Sequence, residues 1–445
     1  MQVLQWIVNL GASVFLPILL FLFGLALRIK PGKAFKSALT IGIGFIGLNL
    51  VINLLTTSLG PATKSMISNY GLHLSSIDVG WPAASAIAYG TALGAMAIPV
   101  GVGTNIILLI LGLTKTLDVD IWNYWHVAFA GSILYTLTGN MWLGLATMVV
   151  VTMFTYFFAD LSAPTVGKYY GLEGISFPHG LSAPGYVFAL PFNWLFDRIP
   201  GINKIHLDAE TIQKRLGVFG DTTVIGAIIG LIIGFLAQQP LNKVLNLAVS
   251  MAAVMMLMPR MVSLLMEGLT PISEGANDMI KKHFPGRKLY IGMDSALAIG
   301  QGSVLSSALL LVPITLLLAI VLPGNKVLPF GDLATIPFFI ALFAAVFKGD
   351  IFRTVIAGTV DIAISLYVAS WAAPLITKLA KAASFNMGGN NSISALSDGG
   401  LWTNFIYLMM GEKFQWLGVG VLFIVALGLL FWLNKVRDKQ ENVAA

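Results

Sequence analysis

Long apolar runs alternate with short polar segments along the whole chain, at 3–27, 38–58, 80–113, 127–158, 175–195, 218–237, 243–268, 294–322, 333–347, 352–377 and 415–434. A helix needs about 20 apolar residues to cross the hydrocarbon of a bilayer, so these runs predict about eleven crossings. Pro82, Gly90, Pro99, Gly101 and Gly103 interrupt the third run, and Pro178, His179, Gly180, Pro184 and Gly185 the fifth. Both predict re-entrant or broken helix, because irregular backbone at membrane depth is tolerated only against protein or a water-filled cavity.

The polar segments set an orientation, since cytoplasmic connections collect Lys and Arg. With the N-terminus outside, the inner connections hold Arg28, Lys30, Lys33, Lys36, Lys115, Arg198, Lys204, Lys214, Arg215, Lys281, Lys282, Arg287, Lys288, Lys348 and Arg353, together with the C-terminal Lys435, Arg437 and Lys439. The outer ones hold fewer: Lys64, Lys168, Lys243, Lys326, Lys378, Lys381 and Lys413. Ile205, Ala209, Ile212 and Leu216 on one face, with Asp208 as the N-cap, predict an amphipathic interfacial helix within 196–217.

Composition supports the same class. Hydrophobic residues make up 57% and charged residues 10%, with a mean hydropathy of +0.85, whereas a soluble domain carries about a quarter charged residues. The predicted fold is therefore an all-α integral membrane protein. The net charge of +6 sits in the connections, so it reads as a topology signal and an affinity for anionic lipid rather than for nucleic acid. Residues 1–27 carry no charge, which predicts that the first segment is not a cleaved signal. With no cysteine, the chain has no disulfide, thiolate metal site or phosphocysteine. Walker A, zinc-spacing and nucleophile-elbow motifs are missing from the sequence, so neither ATP hydrolysis nor a cofactor or metal is expected.

Two local similarities suggest an internal repeat. Asp78-Val79-Gly80-Trp81-Pro82 and Gly292-Met293-Asp294-Ser295-Ala296 each place a carboxylate among small residues at the mouth of a run, and their opposite orientations fit inverted repeats with discontinuous helices. The expected organisation is one polytopic domain, 1–445, with repeats 1–217 and 218–414 and a last helix at 415–434. Asp221 and Asp332, each in Phe-Gly-Asp, are better placed to cap helices.

Polar side chains at membrane depth are costly and are candidate functional groups by default. Asp78, His126, His179, Asp294 and Gln301 form that set. His126 can equally be an interfacial residue of the Trp122/Trp125 belt, whereas Gly and Pro around His179 and Asp294 leave backbone free to meet a ligand.

Asp78-Val79-Gly80-Trp81-Pro82, Asp120-Ile121-Trp122-Asn123 with His126, Leu172-Glu173-Gly174-Ile175 before Pro178-His179-Gly180, Met258-Pro259-Arg260, Gly268-Leu269-Thr270-Pro271-Ile272 and Val327–Thr335 occur in one collinear order. In this the chain closely resembles the galactitol-type enzyme IIC permeases of the bacterial phosphotransferase system, most weakly after about residue 380. The resemblance implies group translocation across the bacterial cytoplasmic membrane. A polyol is bound outside and presented to a cytoplasmic IIB subunit, itself phosphorylated through IIA. Soluble IIA and IIB are expected on other chains, and no phosphoryl-accepting residue is expected on this one.

Similarity to the related ascorbate permeases implies a homodimer in which a transport core slides, elevator-fashion, against a dimerisation scaffold. It implies substrate contacts at His126, His179 and Asp294, with Asp78, Trp81 and Ser85 in the outer re-entrant segment; Ser182 and Gln301 complete the candidate binding residues. Gly180 and Leu181 replace the glutamines of ascorbate sites, which suits an acyclic polyol. Two alternatives are a proton-coupled secondary transporter using Asp78, His126, His179 and Asp294 as a relay, and a non-transporting membrane scaffold.

Overall fold

The computed structural model describes residues 12–70, 74–207, 221–283, 289–299, 301–387 and 390–444. In chain order the first half gives α1 (Ala12–Ala26), α2 (Pro31–Tyr70), β1 (Ser76–Asp78), α3 (Gly80–Tyr89), α4 (Ala97–Ile110), β2 (Thr116–Asp118), α5 (Trp125–Thr138), α6 (Met141–Tyr170), β3 (Ile175–Ser176) and α7 (Ala183–Phe196). The second half gives α8 (Thr222–Leu236), α9 (Leu241–His283), β4 (Tyr290–Gly292), α10 (Ala296–Ile299), α11 (Gly302–Val321), β5 (Val327–Leu328), α12 (Ile336–Val346), α13 (Ile351–Ala382), β6 (Ile393–Ser394), α14 (Ser397–Gly400) and α15 (Trp402–Ala444). From α1 to β3 and from α8 to β6, the order of helices and strands is the same.

Four described helices are long and apolar enough to cross a membrane alone, at Met141–Tyr170, Gly302–Val321, Ile351–Ala382 and Trp402–Arg437. Gly80–Tyr89 and Gly94–Ile110 form a broken pair bent by 91°, at the interruption the prolines and glycines predict. The chain is thus a helical, multi-pass membrane protein.

Several helix boundaries have local causes. Asn140 accepts a hydrogen bond from the Leu143 amide at 3.1 Å and Asp350 one from Arg353 at 3.2 Å, starting α6 and α13. Asp221 caps α8, as expected, through the Thr223 amide at 2.7 Å. That bond holds its carboxyl below the usual carboxylate range.

The 127–158 run is not one helix. Gly139 adopts φ +69° at the end of α5 and Asn140 opens α6, a stop and a start one residue apart that apolarity alone conceals. The correction carries Lys168 with it. Lys168 lies in the last turn of α6, beside the segment whose Gly174 carbonyl accepts from Ile291, while the Lys115 carbonyl accepts from Tyr290. Lys168 therefore lies on the same side of the molecule as Lys115, whereas the charge pattern puts the two on opposite sides. In 175–195 the helix begins only at Ala183. The amphipathic helix expected in 196–217 lies largely outside the described residues; ahead of it, Ile202–Lys204 forms a single 3-10 turn.

Helices α2 and α9 run antiparallel: Lys33 pairs with Glu274 at 3.0 Å, Ser37 bonds the Gly268 carbonyl, and Gly47 meets Met261. Gly226, Gly230 and Gly234 let α8 approach the α9 backbone closely at Ala252, Ala248 and Val244, the small-residue packing of membrane helices.

The rest of the chain is organised by two three-stranded, all-parallel sheets of order β5-β1-β6 and β2-β4-β3. Each takes its central strand from one half of the sequence and its flanking strands from the other. The strand ends also correct the repeat register. Asp78 is the last residue of β1, but Asp294 lies two residues beyond the end of β4, so the two carboxylates do not occupy equivalent positions.

Candidate functional site

Parallel strands release their following loops on one side, so the sheet β2-β4-β3 brings 118–126, 292–296 and 176–182 together. The sheet β5-β1-β6 does the same for 78–81, 330–332 and 394–398. These two loop clusters differ in what their carboxylates do.

In the second cluster the carboxylates hold backbone. Asp78 accepts from the amides of Gly80 at 3.0 Å, Asp332 at 2.8 Å and Leu396 at 3.1 Å. Asp332 accepts from Trp81 and Ser397, both at 2.7 Å. Asp332 does cap helices, but those of α3 and α14 rather than its own. Both carboxylates are buried, and these amides replace the water they lose.

The first cluster presents side chains. His126 and His179 meet edge to face, with ring centroids 4.8 Å apart. His179 Nε2 stands 3.8 Å from Asp294 Oδ1, which also accepts from the Ala296 amide at 2.8 Å. Asn123 donates to Asp120 at 2.8 Å and reaches toward Asp294. His126 Nδ1 lies 2.7 Å from Asp398 Oδ2, while His126 Nε2 is buried with no hydrogen-bond partner. Gly180 crosses the face of His126, where a Cβ would fall 2.6 Å from the ring. Only a glycine fits that crossing.

The expected site residues divide accordingly. His126, His179 and Asp294 come together. Ser182 joins them, its hydroxyl 2.7 Å from Ser295 Oγ and donating to the Phe338 carbonyl at 2.7 Å. Trp81 stacks into the chain Trp81–Trp125–His126, with centroid separations of 6.2 and 4.1 Å. Ser85 turns back on the Pro82 carbonyl at 2.9 Å, Asp78 is committed to backbone, and Gln301 is exposed before α11 without a side-chain capping bond.

Sequence reasoning missed Asp398 and Asn404. Asn404 Nδ2 donates to Asp398 Oδ1 at 3.1 Å and to its carbonyl at 2.9 Å. The signal was present in Ser397-Asp398-Gly399-Gly400, an acidic residue among small ones before a helix, the same pattern that singled out Asp294. Asp118 and Asp120 were also passed over as ligands of their own loop. Asp118 accepts from the Asp120 amide at 3.1 Å and from Tyr156 at 3.2 Å.

Broken helices, loops meeting between them and a buried polar cluster are the arrangement expected of a membrane permease. Residues 6–390 match the EIIC-GAT family, the PTS system sugar-specific permease component. The chain belongs to this family. It is 41% identical over 446 residues to the PTS system galactitol-specific EIIC component of Escherichia coli K12, covering 99% of this chain and 98% of that protein. The protein of the same name from Escherichia coli O157:H7 gives the same values. A putative permease IIC component of strain K12 is 39% identical over 428 residues, 96% of this chain and 98% of the relative.

Proposed function

We propose that this chain binds galactitol or a closely similar polyol from outside the cell, at His126, His179, Asp294 and Ser182, and carries it to a cytoplasmic IIB subunit for phosphorylation. The observation that supports this most is the buried, unpartnered His126 Nε2 beside the His179–Asp294 pair. An unpaired polar atom in a dry interior is costly, and a ligand hydroxyl relieves the cost. Trp81 acts behind His126 through Trp125, Asp78 holds the re-entrant loops together, and Ser85 and Gln301 lie at the margin.

The recurring element order fits inverted repeats, 1–217 and 218–414, followed by the crossing at 415–434. The α1, α2, α8 and α9 bundle is the candidate dimerisation scaffold, against which the sheet-linked remainder would move. IIB, charged through IIA, would arrive at the basic cytoplasmic end, in the bacterial cytoplasmic membrane. Membership in a phosphotransferase family argues against the proton-coupled alternative.

The test is uptake into vesicles supplied with labelled phosphoenolpyruvate and the soluble components. Polyol should appear inside only as its phosphate ester, with no label on this chain. Label on the chain, or concentrated free polyol driven by a proton gradient, would overturn the reading. Thermal stabilisation of the purified protein against a panel of polyols would identify the ligand.

A further inference from the structure

We propose that His126 and His179 are locked in opposite tautomers, giving one hydrogen-bond acceptor and one donor side by side for two neighbouring hydroxyls, with Asp398 as the positioning residue that sets the first. The inference rests on the polyol-binding reading above and assigns the chemistry of each ring within it.

For His126 the reasoning starts at Asp398. A carboxylate can only accept, so the 2.7 Å contact places a proton on His126 Nδ1. Asp398 is fully buried and cannot turn away, because Asn404 holds both its Oδ1, at 3.1 Å, and its carbonyl, at 2.9 Å. Gly180 packs across the ring and fixes its plane. In the neutral imidazole Nε2 then carries a lone pair, and this is the buried atom without a partner. It is an acceptor waiting for a donor.

For His179 the same logic gives the opposite answer. The Ser182 amide, which can only donate, points at His179 Nδ1 at 3.3 Å, and the Ser182 hydroxyl is committed to the Phe338 carbonyl at 2.7 Å. The lone pair is therefore on Nδ1 and the proton on Nε2, directed toward Asp294 Oδ1. At 3.8 Å that separation is too long for a hydrogen bond. A ligand oxygen beside it can accept from His179 and give its own proton to Asp294.

Hydroxyl groups both donate and accept, so a vicinal diol fits this pair: one hydroxyl donates to His126 Nε2 and its neighbour accepts from His179 Nε2. The arrangement discriminates against ligands lacking one of the two hydroxyls, since a group built to hydrogen-bond is then left unpaired.

Histidine-selective 15N spectra of the purified full-length protein in lipid nanodiscs, assigned with His126→Asn and His179→Asn, read the tautomers directly. His126 should be neutral with Nδ1 protonated, and His179 neutral with Nε2 protonated. Asp398→Asn changes the first. Asn404 retains the carbonyl oxygen of the new amide, its NH2 turns to His126 Nδ1, and the ring proton moves to Nε2. Galactitol affinity should then fall about tenfold, because the hydroxyl that gave its proton to Nε2 must now accept from it and its own proton is left without an acceptor, while Asp398→Glu keeps the wild-type tautomer and most of the affinity. Both rings in the same tautomer in the wild type, or a doubly protonated His126 at neutral pH, would overturn the proposal even if Asp398→Asn does not fold. So would an unchanged affinity in a folded Asp398→Asn protein whose His126 tautomer has switched. A wild-type protein that binds no polyol while showing opposite tautomers would instead overturn the polyol reading and leave the tautomer assignment standing.

Discussion

Asp78 and Asp332, far apart in sequence, clasp each other's loops: the Asp332 amide donates to Asp78 Oδ2 at 2.8 Å, and Asp332 Oδ1 accepts from Trp81, three residues after Asp78, at 2.7 Å. Leu396 and Ser397 add their amides to the same two carboxylates. One pair of side chains thus ties together three loops from both halves of the chain.

Asp78→Ala leaves three buried amides without acceptors. Each costs about 1–3 kcal/mol, so a loss of roughly 3 kcal/mol or more is expected, with unchanged galactitol affinity in the fraction that remains folded. Thermal melts and binding isotherms on the same preparation check both. Weakened binding at unchanged melting temperature would return Asp78 to the ligand.

Asp294 has two tasks, capping the Ala296 amide and facing His179. A hydrogen bond to a charged group contributes about 1.5–3 kcal/mol, so Asp294→Ala should weaken polyol binding roughly tenfold to a hundredfold. Asp294→Asn keeps an acceptor of similar shape and should lose less. If affinity holds while stability falls by about 1 kcal/mol, capping is its whole role.

Gly180→Ala puts a methyl group 2.6 Å from the His126 ring. With His126 tied to Asp398, the loop 177–182 must yield, and overpacking of this kind costs about 1–3 kcal/mol. His179 moves with that loop, so affinity should fall together with the melting temperature. Wild-type values for both would show that the two loops are less tightly apposed.

Single cysteines are informative in a chain that has none. Lys168→Cys should be labelled by a membrane-impermeant thiol reagent only in inside-out vesicles, whereas Lys243→Cys should be labelled in intact cells. Labelling of Lys168→Cys from outside would return this end of α6 to the outer side.

The sequence makes the membrane class, the broken third run and the histidine–carboxylate set legible because each depends on composition or on Gly and Pro within a short window. Gly139-Asn140 shows what apolarity hides: a helix end and a helix start that leave the hydropathy of the run unchanged. The sheets were invisible for a different reason. Their strands are two or three residues long, too short for alternation to register, and every pairing partner lies more than a hundred residues away. Asp398 had a local signal, an acidic residue among small ones before a helix, but not one that says what it serves. Its meaning comes from His126, which no local pattern connects to it.

The interleaved strands also govern when the protein can finish folding as it leaves the ribosome. Strand β1 has no neighbour until residues 327 and 393 exist, and β2 and β3 must wait for residue 290. At about 5–20 residues per second, the N-terminal half spends on the order of tens of seconds inserted in the membrane with its polar loops unclosed. Neither half can complete a sheet from its own strands. A chain divided between Leu207 and Asp221 should yield fragments that are degraded when made singly and persist when made together.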